Sequence, residues 1–158
     1  MFNEIKKHIK MNSKVVSLQY GVGKIIGNFN MYDGVDDYLE IEYSDDGETR
    51  YFCTKHVGDV RLLSSKTDIA FALKTMSERL NNFSIENNFS RDTTKFLDKN
   101  VLYIVLRIVE LFRRTTLNGI NNIVLNESID SLVHEVEEVY GVDHNCARGI
   151  VGDYLKCA

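Results

Sequence analysis

The sequence predicts an α+β chain built as two domains, a small antiparallel β-barrel followed by an all-α helical bundle. Two observations carry this. From Lys14 to about Ser64, apolar-rich stretches, several alternating apolar with polar, are separated by short turn signals and by nothing of helix length. After Ser65 the apolar residues recur instead at helical spacing. A chain of 158 residues accommodates two such small domains.

The elements follow in order. Residues 1–13 hold the basic stretch "MFNEIKKHIK", whose Phe2, Ile5 and Ile9 would line one face of a short helix. Residues 14–65 are the β domain. "KVVSLQ", "GKIIGNFNMY", "DYLEIEYS" and "TRYFCTK" are rich in Val, Ile, Tyr and Phe, as strands require. Gly21 and Gly23, then "YDGVDD", then "SDDGE" mark the turns. Strands joined this tightly form an antiparallel meander, which closes into a small barrel or sandwich.

Residues 66–158 are the helical domain. Ile69, Leu73, Met76 and Leu80 form a first stripe, with Ser64 or Ser65 as cap. Ser90 caps a short helix through Phe96 and Leu97. Residues 101 to 112 are apolar over a broad face, which suits a central helix. Leu125, Ile129, Leu132, Val133, Val136 and Tyr140 form the next stripe, with Gly141 placed to stop it. Asp143 caps a last helix through Tyr154 and Leu155.

Bulk properties narrow the function. Hydrophobic residues at 44% and charged residues at 27% describe a globular chain, not a disordered one. The longest apolar run is cut by Arg107 and Glu110, so no membrane span is expected, and the first residues lack a signal-peptide pattern. The expected location is cytoplasmic. A net charge of −4 argues against a protein that lives mainly off phosphate contacts. Three cysteines without framework spacing are expected to be reduced.

No motif reaches a catalytic constellation, and no enzyme activity, cofactor or metal is expected. "QYGVGKIIG" has glycines at 21, 23 and 27, but a phosphate loop needs a helix directly after it, and strand follows here. Those glycines are expected to relieve backbone angles, a bulge or close packing. His144 and Cys146, with Cys157 beyond, lack the second ligand pair of a structural zinc site, so both thiols are expected to be buried and apolar. His56 near Cys53 lacks an orienting third group. The aspartate pairs sit in turns that favour aspartate for its own backbone hydrogen bonds.

"QYGVGKIIG", "YLEIEYSDDGETRYFCTK" and "VRLLSS", followed by "NNFSRD", "VLYIVLRIVELFRR" and "EVEEVYGVDHNCARGIVGDYL", resemble in order and spacing the CarD family of bacterial RNA polymerase-binding transcription regulators. The first part of that pattern is shared with the transcription-repair coupling factor, whose helicase motifs this chain lacks. The likeness spans roughly residues 14 to 157. It departs at Tyr20, where the family has histidine, and at Leu18 and Thr54, where it has proline.

The resemblance implies a Tudor- or SH3-like barrel that docks on the polymerase β subunit. It also implies a helical domain that contacts promoter DNA at the upstream edge of the open complex. By the same resemblance, Arg50, Tyr51 and Phe52 fall on or beside the docking strand, and Met31 lies at a second contact. Strand alternation puts Arg50 and Phe52 on one face, with Tyr51 and Cys53 on the other. The rival reading is that two of these aromatics fill the barrel core, and at least one is expected to.

For DNA the resemblance points to Phe89, Arg91, Lys95, Arg113 and Arg114. Phe89 stands where the family has a tryptophan wedge. Phenylalanine inserts as an apolar wedge too, with less stacking area and no ring donor. Against DNA, residues 66–158 hold eleven Lys and Arg and thirteen Asp and Glu, a local net of −2. Intrinsic DNA affinity is therefore expected to be weak, with polymerase supplying proximity. The alternative is a polymerase-binding adaptor whose acidic helical domain binds another protein. A monomer is expected in either case.

Overall fold

The computed structural model describes residues 10–30, 37–53, 60–81, 101–114 and 119–156. The chain divides between Leu63 and Ser64 into two compact units, two residues before the join read from the sequence. The first is an antiparallel sheet and the second is helical.

Among the described residues the sheet has five strands: β1 (Lys14–Ser17), β2 (Gly21–Asn30), β3 (Asp37–Tyr43), β4 (Thr49–Cys53) and β5 (Val60–Leu62). Their order is β4-β3-β2-β1-β5, so β4 and β5 are the two edges. Alternation sorts the side chains. Val15, Ile25, Leu39, Ile41, Tyr43 and Val60 make the buried cluster, with Tyr20, Phe52 and Leu62 packed against it. Cross-strand partners share a face, so Leu39 opposite Phe52 and Ile41 opposite Arg50 place both β4 residues on the core side.

The turn from β1 to β2 is held by the Ser17 hydroxyl, which accepts hydrogen bonds from the Gln19 and Tyr20 amides. Gly21 follows with φ 71°. Gly23 was expected to relieve a backbone angle, but the reason found is steric. A Cβ there would stand 2.7 Å from Ile41 Cγ2 and 3.0 Å from Tyr43 Cδ1. Near Gly27 the pairing slips by one residue between Ile25 and Gly27, which is the expected bulge.

The helical unit contains α1 (Lys66–Asn81), α2 (Val101–Arg114), α3 (Gly119–Tyr140) and α4 (His144–Lys156). Ser65 caps α1 through a reciprocal pair: its Oγ accepts from the Asp68 amide, and Asp68 Oδ2 accepts from the Ser65 amide and hydroxyl. α1 buries Ile69, Ala72, Leu73, Met76 and Leu80. α2 buries Val101, Ile104, Val105, Ile108 and Val109 between α1 and α3. α4 packs on α3 and α1 through Ala147 and Val151.

α3 departs from its predicted stripe. Leu125, Leu132, Val133 and Val136 are buried as expected, but Ser128, Ser131 and Glu135 are buried with them. The Glu135 carboxylate accepts a 2.9 Å hydrogen bond from the Ser64 amide, fixing the backbone just before α1. Gly141 ends α3 at φ 66°, and its amide and that of Val142 both donate to the Glu137 carbonyl. Asp143 caps α4 by accepting from the Cys146 amide at 2.9 Å. No helix among the described residues is long and apolar enough to cross a membrane.

Candidate functional site

The three β4 residues singled out in the sequence divide between the two faces of the sheet. Arg50 lies on the inner side, where its guanidinium sits 4.2 Å above the Tyr20 ring and 5.6 Å from that of Tyr43. Its Nη2 donates to Asp46 Oδ2 at 2.7 Å and to Glu48 Oε2 at 2.9 Å. The hydrogen bond to Asp46 raises the Arg50 pKa, and the same bond holds the Asp46 carboxyl below its ordinary value. Arg50 Nη1 has no hydrogen-bond partner among the described groups, so the aromatic face beneath it offsets part of that loss. Arg50 therefore clamps the β3–β4 turn onto an aromatic platform.

Phe52 joins that platform. Its ring meets Tyr20 and Tyr43 edge-on, each at 6.2 Å. Tyr20 is thus the centre to which Arg50, Tyr43 and Phe52 all pack. The Tyr43 hydroxyl is buried, and desolvation pushes its pKa up to about 12. Desolvation outweighs the lowering effects of Ser17 and Arg50, and the hydroxyl has no hydrogen-bond partner among the described residues.

Tyr51 points the other way and is 54% exposed. It pairs across the strands with Glu40, and its hydroxyl donates to Glu40 Oε1 at 3.2 Å. That bond raises the phenol pKa. Phe29 stands edge-on to Tyr51 at 5.4 Å and stacks on Tyr38 at 5.8 Å. Phe29, Tyr38 and Tyr51 thus form an aromatic row across β2, β3 and β4, reaching the sheet edge. Sequence reasoning did not name Phe29 or Tyr38. The available signal was phase: in "DYLEIEY", Tyr38 alternates with core residues Leu39, Ile41 and Tyr43.

Met31, Phe89, Arg91 and Lys95 lie outside the described residues. Arg113 and Arg114 end α2, but their side chains lie outside the described ones.

No family model and no curated protein matches the chain.

The likeness to CarD regulators therefore rests on the quoted motifs alone. The thiols also differ from expectation in part. Cys146 is exposed, because on α4 it falls on the side away from buried Ala147 and Val151, and Cys53 is half-buried; Cys157 lies outside the described residues. His144 associates not with the cysteines but with α3. Its Nδ1 lies 3.2 Å from Glu137 Oε2, and His134 Nδ1 lies 4.0 Å from the same oxygen. Among the described residues these three are the one group able to hold a metal ion.

Proposed function

We propose that the chain is a non-enzymatic, CarD-like transcription regulator of the bacterial cytoplasm, acting as a monomer. The sheet unit, an open antiparallel sheet rather than the closed barrel expected from the sequence, docks on the RNA polymerase β subunit. The helical unit reaches promoter DNA at the upstream edge of the open complex through Phe89 and Arg91, with Lys95, Arg113 and Arg114 on phosphates.

The observation that carries this reading is the exposed Tyr51 on edge strand β4, backed by Phe29 and Tyr38. An edge strand presents backbone donors and acceptors to a partner strand, and a supported aromatic beside it supplies a hot spot. Arg50 and Phe52, by contrast, support docking from within by fixing β4 and its turn. Met31 remains the proposed second contact.

The test is capture of the polymerase β subunit by the full chain. Wild type is expected to bind, and Tyr51→Ala to lose about tenfold or more in affinity, in line with a hot-spot ring. Absence of capture by wild-type protein would overturn the reading. The acidic balance of residues 66–158 favours one alternative, an adaptor whose helical unit binds a second protein.

A further inference from the structure

We propose that His134, Glu137 and His144 form a divalent transition-metal site, with zinc as its preferred ion, at the turn joining α3 to α4. The site is independent of polymerase docking. Two imidazoles and one carboxylate are a borderline donor set that suits zinc, and three protein ligands leave a position for water or another group.

The chain assembles the set by local rules. His134 and Glu137 stand three residues apart in α3, so their side chains share a face. His144 opens α4, and the turn between the helices is fixed at both ends. Gly141 and Val142 amides close on the Glu137 carbonyl, and Asp143 caps α4. A three-residue link held this way leaves His144 little freedom relative to Glu137.

The distances fit an ion of zinc's size. Metal–ligand bonds of about 2.0–2.1 Å in a tetrahedron place donors about 3.3 Å apart. His144 to Glu137 is already at 3.2 Å, while His134 to Glu137 at 4.0 Å needs a contraction that side-chain rotation can supply. All three donors lie within 4.8 Å of one another, and the two rings are 5.4 Å apart between centroids. Their side chains are 31%, 37% and 43% exposed, so an ion enters and keeps water without breaking the core. The neighbouring cation on this seam is committed elsewhere, since Arg148 donates to Asp130 at 2.9 Å. Among the described residues, Glu137 therefore faces the two imidazoles rather than a lysine or arginine.

Titrating zinc into the untagged full chain, in a non-chelating buffer, tests this by calorimetry. One saturable site per chain is expected, together with visible cobalt absorption of tetrahedral intensity and a rise in thermal midpoint with zinc. The imidazole C–H resonances of His134 and His144 are expected to shift together in wild-type protein. His134→Ala, His144→Ala and Glu137→Gln, each checked for native circular dichroism, are expected to weaken binding about tenfold or more and to abolish the midpoint shift. Cys146→Ser is expected to bind as wild type. The proposal is overturned by absence of saturable binding, by binding that survives His144→Ala, or by loss of binding in Cys146→Ser.

Discussion

Replacing Tyr51 by alanine removes an exposed ring that, among the described residues, meets Phe29 edge-on and donates a hydrogen bond to Glu40. The stability change is expected to stay below about 1 kcal/mol, because both contacts are solvent-accessible. Phe52→Ala is different. Its ring packs on Tyr20 and Tyr43 beside the core, so urea unfolding is expected to show a loss of about 2 kcal/mol, below the fully buried range because the ring is half-buried. A docking defect in Phe52→Ala or Arg50→Glu is therefore ambiguous, whereas one in Tyr51→Ala is not. Tyr43 gives a pH signature. Its folded pKa of about 12 lies above the ordinary 10.0, so the folded state holds the phenol proton more tightly than the unfolded chain. The associated stability is fully present below pH 10 and is lost as pH rises toward 12, about 2–3 kcal/mol in all. Tyr43→Phe is expected to remove that alkaline loss, read by urea midpoints from about pH 10 to about pH 12, the window set by the shift.

At the scale of elements, period and turn chemistry made much of the fold legible. The caps at Ser65, Gly141 and Asp143 are local features, as are the stripes they bound, so a sequence window of one helix contains them. Glu135 was not legible, because its reason lies at Ser64, 71 residues away. Within its own helix it reads as one more solvated acid. Glu135→Ala removes the carboxylate that accepts from the Ser64 amide and leaves a void, and is expected to cost about 1–3 kcal/mol in chemical denaturation. If the variant were as stable as wild type, the tether before α1 would carry no energy. The sheet shows the same limit. Glycine at 23 is readable as a special position, but that Ile41 and Tyr43 press on it depends on register. The aromatic row was hidden for a related reason: Phe29, Tyr38 and Tyr51 sit on three strands, and only their pairing makes them one surface.

For the molecule as a whole, charge decides how the two units would share the work. The chain carries a net charge of −4 and residues 66–158 a net of −2, yet Glu135 is buried and already bonded, so one of those acids does not face DNA. That leaves a helical unit close to neutral rather than one strongly repelled by phosphate. Free DNA is therefore expected to bind weakly and to be lost as salt rises, since few phosphates are neutralised. If the chain docks on polymerase as proposed, docking would raise the local concentration, and a weak contact would suffice. Initiation from a promoter with purified polymerase separates the regulator from the adaptor. If the helical unit works on DNA, Phe89→Ala and Arg91→Ala abolish the change in open-complex lifetime while retaining polymerase capture. If it serves a second protein, both variants behave as wild type and Tyr51→Ala alone removes the effect.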